Sequence, residues 1–256
     1  MKITLLGTGA IMPTAKRSFS GILVETRTES LLLDPGPGSL SKLAKIGINI
    51  LGLDRVFITH FHLDHCADFL PLLMAKAFEP QENPRGVWIY GPPGLEELAQ
   101  DLFSRTERFR YMSSAFRFFD YTRLKEVGDG PVDSVPEWTA SCTPVMHFDG
   151  VAYKIEAEGR SLVFSGDTIP DDRLVRLAKG VDLLIHDCSF PDGELIGLHT
   201  TDVQLAEVAQ EAHPKKLVAN HLYPTWEGKE HKLVAEIRKK FDNELLVGQD
   251  FMTIEI

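Results

Sequence analysis

Four side chains that commonly bind metal fall within six consecutive positions of the stretch THFHLDH. They are three histidines and an aspartate, His60, His62, Asp64 and His65. They directly follow the apolar run Val56–Ile58. Imidazoles crowded at the end of a buried strand repel one another when protonated and lose hydration when neutral. A bound cation removes this conflict, so the cluster predicts a metal site.

The same residue types follow apolar runs in the second half of the chain. His147 follows TPVM, Asp167 follows LVFSG and His221 follows KLVAN. With the first cluster they supply five imidazoles and two carboxylates, which suffice for two borderline-soft divalent ions with one carboxylate shared. Two ions about 3.5–4 Å apart can hold a hydroxide between them and polarise a substrate oxygen.

The spacing within the first cluster favours two ions over one. His60 and His62 are two positions apart in an extended segment, so they point to the same side and can chelate one ion. Asp64 and His65 lie past the turn, where they can reach a second ion.

Short apolar runs bounded by glycine and proline predict strands that carry these residues. The first half contains KITLLG, GILVET, SLLLDPG, LDRVFIT and GVWIYG. The second half repeats the plan, because VAYKIEAEGRSLVFSGD resembles GILVETRTESLLLDPG and ends in Asp167 where the first ends in Asp34. We predict two α/β halves with strands inside and helices outside, forming a single domain over residues 1–256, with polar groups at the strand ends.

Amphipathic or apolar runs predict the helices between the strands. The predicted helices cover residues 39–46, 66–78, 95–107, 200–212 and 231–241. Thr201 and Gln204 fit a capping box. The closing segment ELLVGQDFMTIEI is predicted as one strand.

Composition narrows the class of protein. The 256 residues are 43% hydrophobic and 25% charged, with a net charge of −10. This balance is ordinary for a soluble globular protein and argues against a general binder of nucleic acid or anionic membranes. Three scattered cysteines form no disulfide pattern, and no run reaches the roughly 18 apolar residues of a membrane span. We therefore expect a cytoplasmic protein.

These motifs resemble the metallo-β-lactamase superfamily, whose His-x-His-x-Asp-His signature matches His60, His62, Asp64 and His65. The resemblance covers about the whole chain and implies an α/β four-layer αββα sandwich with a binuclear metal site. It implies one metal on His60, His62 and His147 and a second on Asp64, His65 and His221, with Asp167 bridging them. Zinc is the default for so many imidazoles, although manganese or iron also suits carboxylate-containing sites.

The resemblance also implies residues that support the ligands or bind substrate. Asp34 matches an aspartate that braces the histidine loop, although a turn aspartate before Pro35 explains it nearly as well. Thr59 is a further supporting candidate, and His186 is either a supporting residue or a core residue. The candidate substrate-binding residues are Gly9, Arg17 and Tyr223.

Three further stretches resemble the ribonuclease Z and small-phosphodiesterase branch of this superfamily: GTGAIMPTAKRSFSG, IHDCSF and GLHTT. This resemblance implies that His199 is a general acid that protonates the leaving alkoxide and that Asp187 orients it. A histidine with a carboxylate partner suits that task near neutral pH. A solvated histidine before a helix cap is the other interpretation of His199. The predicted catalytic residues are His199, Asp187 and Asp64.

Two departures from ribonuclease Z favour a small substrate. Its long arm after the third metal motif is absent, since only 20 positions separate His147 from Asp167. The last motif is HLYPTW rather than His-x-Ser-x-Arg-Tyr. We therefore expect a phosphodiesterase acting on a small or cyclic phosphodiester or a nucleotide, with an RNA-processing endonuclease of ribonuclease Z type as the alternative.

Residues 103–121 keep the RNA alternative open. They interleave aromatic residues with arginines, a composition that can stack bases and bind phosphate. A substrate lid, a homodimer face or plain core packing explains the same pattern.

Three other functions are compatible with the metal motif. The same centre could hydrolyse a lactone, a thioester or a sulfate ester. An iron oxidoreductase is disfavoured because the chain has no flavin-binding extension. A non-catalytic scaffold is disfavoured because every predicted ligand is present.

Overall fold

The structure is a computed structural model that describes residues 1–77, 86–110, 122–194 and 197–256. Two seven-stranded sheets pack face to face with helices on their outer surfaces. The strands of the first sheet are β1 (Lys2–Gly7), β2 (Gly21–Glu25), β3 (Ser30–Leu33), β4 (Arg55–Phe57), β5 (Val87–Gly91), β6 (Thr122–Glu126) and β14 (Thr253–Glu255). Their order across the sheet is β14-β1-β2-β3-β4-β5-β6.

The second sheet repeats this arrangement with the order β13-β12-β11-β10-β9-β8-β7. Its strands are β7 (Gly130–Val135), β8 (Trp138–Pro144), β9 (Val151–Ala157), β10 (Arg160–Phe164), β11 (Leu183–Asp187), β12 (Lys216–Asn220) and β13 (Glu244–Val247). In each sheet an antiparallel hairpin, β2–β3 or β9–β10, leads into parallel strands. Asp34 follows the first hairpin and Asp167 follows the second, so the predicted repeat of the two halves is confirmed.

Three clusters of buried apolar side chains hold the two sheets and the two helix layers together. The central layer joins the inner faces of both sheets through residues such as Phe57, Tyr153 and Phe164. One outer layer covers the first sheet with α1 (Ser39–Lys45), α3 (Phe69–Ala77) and α4 (Leu95–Gln100). The other covers the second sheet with α5 (Asp172–Leu177), α6 (Asp202–Ala212) and α7 (Glu230–Ile237). The predicted αββα sandwich is confirmed.

Two predicted helices differ in extent from their prediction. The apolar stretch 66–78 is divided between α2 (Leu63–Cys66) and α3, and Pro71 stands in the first turn of α3, where a missing N–H leaves no bond unmade. The stretch 95–107 begins as α4 and continues as a π-helical turn at Asp101–Arg105. The capping box of α6 is present, with the Thr201 hydroxyl accepting from the N–H of Gln204.

The prediction of one closing strand was wrong. The segment divides into β13 in the second sheet and β14 in the first, so the chain crosses between sheets at Gly248–Met252. The strands β6, β7 and β8 lacked a sequence prediction. For β6 and β7 the reason is that both are edge strands that bury few side chains.

Within the described ranges no helix has both the length and the apolar character needed to cross a bilayer. Cys66, Cys142 and Cys188 are all buried and unbridged.

Candidate active site

The turns that follow the strands bring the predicted metal-binding residues of both halves to one edge of the sandwich. The cluster from His60 to His65 follows β4, His147 follows β8, Asp167 follows β10 and His221 follows β12. All except His62 are buried. His221 has a left-handed backbone with φ of 57°, which a non-glycine residue rarely adopts. Functional sites often hold such conformations.

One group of ligand atoms contains Asp64, His65 and His221. The Nε2 atoms of His65 and His221 are 3.1 Å apart, and each lies 3.2 Å from Oδ1 of Asp167. Oδ2 of Asp64 lies 3.7 Å and 3.5 Å from the same two nitrogens. Ligands at zinc-like bond lengths on a tetrahedron stand about 3.3 Å apart. Asp64, His65 and His221 can therefore hold one ion, and Asp167 lies beside both imidazoles.

A second group meets the other oxygen of the same aspartate. Oδ2 of Asp167 lies 3.6 Å from Nε2 of His60 and 3.7 Å from Nε2 of His147. His62 completes this group, with Nδ1 3.4 Å from Nε2 of His147. Asp167 therefore presents one oxygen to each group.

The donor chemistry fits metal ions. Nε2 of His60 and Oδ1 of Asp167 are buried without a hydrogen-bond partner, although imidazole nitrogens surround the carboxylate. Leaving such groups unpaired is costly, whereas a cation would satisfy them. Burial and the charge of neighbouring His65 lower the pKa of His60 well below its usual value, and a neutral imidazole is the form that binds metal.

Hydrogen bonds fix the Nδ1 atoms of the four buried imidazoles and leave each Nε2 facing the centre. Nδ1 of His60 contacts the Thr59 hydroxyl at 3.0 Å, and Nδ1 of His65 contacts Asp34 at 2.7 Å. Nδ1 of His147 donates to the Leu198 carbonyl at 2.8 Å, and Nδ1 of His221 contacts the Ser189 hydroxyl at 3.0 Å. Such outer contacts orient metal-binding histidines.

Asp34 and Thr59 form the support beneath the histidine loop. Both the N–H and the hydroxyl of Thr59 donate to the Asp34 carboxylate at 2.8 Å. Gly166 packs directly against Thr59, since a Cβ at Gly166 would lie 2.7 Å from the Thr59 Cβ. The contacts of Asp34 match the bracing arrangement rather than those of a simple turn aspartate.

The site strongly favours an ionised Asp167 carboxylate. Burial by itself would raise the pKa of Asp167, but neighbouring His221 and His65 hold it well below its usual value. Burial would lower the pKa of His65, but Asp167 and Asp34 raise it well above its usual value. A cation at this position would replace the imidazolium proton.

His199 and Asp187 form a pair beside the two groups. Nδ1 of His199 lies 3.1 Å from Oδ2 of Asp187, and the His199 ring lies 5.2 Å from that of His147 and 5.3 Å from that of His221. His199 is 8% exposed, so it is not the solvated residue of the other interpretation. The Ser189 hydroxyl donates to Oδ1 of Asp187 at 2.6 Å.

Sequence reasoning missed Ser189, which contacts both Asp187 and His221. Its signal was present in the motif DCSF, since a residue two positions after Asp187 lies on the same side of an extended segment.

Two predicted substrate-binding residues make contacts within the protein itself. The N–H groups of Thr8 and Gly9 already donate to Asp250 and Ser18, so Gly9 does not offer a free phosphate cradle. The Arg17 guanidinium is buried and donates to Thr8 and to the Gly248 carbonyl. It ties the N-terminal loop to the C-terminal segment instead of facing substrate.

His186 points away from the ligands because side chains alternate along β11, where Asp187 faces the site. Its Nδ1 donates to the Asp187 carbonyl at 2.8 Å, and the described residues include no predicted ligand among its hydrogen-bond partners.

Tyr223 borders the site, with its ring 5.8 Å from that of His199 and 4.3 Å from that of Phe190. Burial raises the pKa of Tyr223 to about 12, so the phenol is neutral near pH 7. Of the aromatic–arginine segment, Phe103 packs in the core against Phe69, and residues 111–121 lie outside the described part of the chain.

The fold and the His/Asp cluster define a metal-dependent hydrolase of the metallo-β-lactamase superfamily. The chain belongs to the family described as Anti-Pycsar protein Apyc1, whose model matches residues 1–238.

Full-length relatives confirm the predicted ribonuclease Z branch. Ribonuclease Z of Myxococcus xanthus is 29% identical over 303 aligned positions, covering 100% of this chain and 98% of the relative. The metallo-β-lactamase fold protein YhfI from Bacillus subtilis superposes with a TM-score of 0.83 at 25% identity, covering 99% of each chain. The short form of human tRNase Z shares the fold with a TM-score of 0.77 at 23% identity, covering 100% of this chain and 99% of that one.

Proposed function

We propose that this protein is a binuclear metal-dependent phosphodiesterase that cleaves a small or cyclic phosphodiester or a nucleotide. The observation that carries the proposal is the placement of Asp167 between two imidazole groups, with His199 and Asp187 beside them. Both ions would stabilise the negative charge of one phosphate. His199 would be placed to protonate the departing ester oxygen.

The proposed ligand sets follow the two groups. His60, His62 and His147 would hold one ion, Asp64, His65 and His221 would hold the other, and Asp167 would bridge them. Zinc is the expected metal because imidazole is the main donor in both groups. When bound, the ions would activate water as the nucleophile and neutralise charge on the phosphate.

His199 is proposed to protonate the departing ester oxygen. With Nδ1 bound to Asp187, the other ring nitrogen is left to transfer a proton. Burial lowers the pKa of His199, but the hydrogen bond and the charge of Asp187 outweigh burial and raise it, which favours the acid form near neutral pH. Tyr223 stays neutral and adds no negative charge beside an anionic substrate.

The proposed substrate is small because this chain is shorter than the ribonuclease Z of Myxococcus xanthus. The alignment with the Myxococcus ribonuclease Z spans 303 positions against the 256 residues of this chain, so the relative contains segments that this chain lacks. Between His147 and Asp167 there is only the β9–β10 hairpin. A shorter chain has less surface for binding a large folded RNA.

An RNA-processing endonuclease is the second candidate. The curated relatives that cover the whole chain are named ribonuclease Z, and these names favour RNA over a small phosphodiester. Both candidates cleave the same bond, so the centre and His199 would have the same tasks in each.

The first experiment compares His199→Ala with the control His231→Ala on a 3′,5′-cyclic nucleotide, whose alkoxide leaving group needs a proton. His231 is exposed on α7, away from the site. We expect kcat to fall about 100-fold or more in the first variant only, with bound metal unchanged in both. Equal turnover by wild type and His199→Ala would refute the proposed acid.

A substrate panel separates the candidate functions. The wild type would be assayed on a 3′,5′-cyclic nucleotide, a transfer-RNA precursor, a lactone and a thioester. We expect the largest kcat/KM on the cyclic nucleotide. A larger value on the precursor would establish the second candidate, and a larger value on either acyl ester would contradict both.

A further inference from the structure

A phenyl ring stands in solvent beside the predicted ligands. Phe148 follows His147, and its side chain is 67% exposed. Its ring centroid lies 5.1 Å from that of His62 and 5.0 Å from that of His147. His62 is itself exposed, so this side of the centre is open to an incoming molecule.

The backbone holds Phe148 in this position against its own preference. Phe148 and Asp149 have φ values of 35° and 58°, two consecutive non-glycine residues in the left-handed region. The turn is closed by the N–H of Gly150, which donates to the His147 carbonyl at 2.7 Å. The N–H of Val151 donates to the Thr59 carbonyl at 2.9 Å and joins the turn to the histidine loop. Strained backbone that surrounding structure enforces is a feature of ligand-contacting sites.

Other exposed apolar side chains adjoin the site residues in sequence. Leu63, Met146 and Leu198 are exposed, and each is the immediate neighbour in sequence of His62, His147 or His199. Single exposed apolar residues need no explanation, but several beside one polar centre mark a binding surface. The Phe148 ring is the exposed apolar group that ring contacts place directly beside the candidate ligands.

We propose that Phe148 is a specificity-determining residue that stacks on an aromatic ring of the ester group retained on phosphorus. This inference rests on the proposed phosphodiesterase function. The leaving oxygen would lie toward His199, whereas the Phe148 ring lies beside His62 and His147. A flat exposed ring favours a nucleobase or another aryl group over an alkyl group, because stacking uses the ring face. The preferred substrates are thus nucleoside or aryl phosphodiesters.

The experiment uses two diesters with the same leaving group. p-Nitrophenyl phenyl phosphate and p-nitrophenyl methyl phosphate both release p-nitrophenol, so they differ only in the retained group. The metal-loaded wild type, Phe148→Ala and Phe148→Tyr would be compared with the control Phe251→Ala. Phe251 also has a left-handed φ, of 65°, but its ring lies under Lys42 and Lys45.

We expect Phe148→Ala to reduce kcat/KM on the phenyl ester about five-fold or more and on the methyl ester less than two-fold. Phe148→Tyr keeps the ring and should keep the wild-type ratio, as should Phe251→Ala. An equal loss on both esters, or no loss on either, would overturn the role of Phe148.

The outcomes also separate this inference from the function on which it rests. If the wild type hydrolyses neither diester, the proposed function fails and the inference with it. If the wild type hydrolyses both and the phenyl-to-methyl ratio survives Phe148→Ala, only the inference fails. Sedimentation of each variant tests whether Phe148 contacts a second copy of the chain. If it does, Phe148→Ala should sediment as a smaller assembly than the wild type, and hydrolysis of both esters should slow equally. That result would overturn the inference and leave the proposed function standing.

Discussion

Nδ1 of His199 lies 3.1 Å from Oδ2 of Asp187, and this buried carboxylate also accepts the N–H of Thr168 at 3.2 Å and the hydroxyl of Ser189 at 2.6 Å. Asp187 ends β11, so its position is set by the sheet. His199 comes from the segment before α6. A rigid element therefore orients a side chain supplied by a loop.

Replacing Asp187 with asparagine should slow catalysis and leave metal binding intact. The amide keeps the shape but loses the charge that raises the pKa of His199. We expect kcat on a 3′,5′-cyclic nucleotide to fall about ten-fold or more, by less than in His199→Ala. Metal analysis of the same preparation is the control. A loss of bound metal would instead make Asp187 a ligand or a structural support.

Ser189→Ala should weaken metal binding at the Asp64–His65–His221 group. The hydroxyl contacts Nδ1 of His221 and so directs Nε2 toward the other ligand atoms. Loss of such a contact typically reduces metal affinity 10- to 100-fold. Competition with a fluorescent chelator would measure the change. An unchanged affinity would show that Ser189 does not support this histidine.

Gly166→Ala should destabilise the protein more than Gly159→Ala. Both glycines have a left-handed backbone, with φ of 59° and 72°. A Cβ at Gly166 would lie 2.7 Å from the Thr59 Cβ, whereas a Cβ at Gly159 has nothing within 4 Å. We expect the Gly159 variant to lose about 1 kcal/mol and the Gly166 variant about 1–3 kcal/mol more in free energy of unfolding. Urea unfolding would test this, and equal losses would contradict the close approach.

The arrangement of the site could be predicted from sequence because its residues mark the ends of apolar strands. Asp34 and Asp167 each follow a β-hairpin, and the same pattern recurs in both halves. The roles of Gly9 and Arg17 could not be predicted, since both depend on Ser18, Gly248 and neighbouring segments that converge only in the fold. The edge strands β6 and β7 escaped prediction because they bury few side chains.

Asp182→Asn should reduce stability at neutral pH but not in acid. Asp182 accepts from the N–H of Ser161 at 2.9 Å and from Lys215 at 2.8 Å. Burial would raise its pKa, but the Lys215 and Ser161 hydrogen bonds lower it to about 2. The unfolded chain has a value near 4. The carboxylate therefore contributes fully above about pH 4, and its contribution is lost as the pH falls toward 2.

We expect the asparagine variant to lose about 1 kcal/mol at pH 7, because Lys215 is largely solvent-exposed and screening weakens the pair. The difference in free energy of unfolding between the wild type and Asp182→Asn should shrink as the pH falls below about 4. Thermal unfolding of both proteins across this range would measure it. A difference that stays constant with pH would indicate lost packing rather than lost charge.

The most direct test of the paired centre is the metal content of the purified chain. The protein would be incubated with zinc, desalted and analysed for bound metal per chain. Two groups of ligand atoms joined by Asp167 predict about two ions per chain. A stoichiometry of one or fewer would contradict the paired centre.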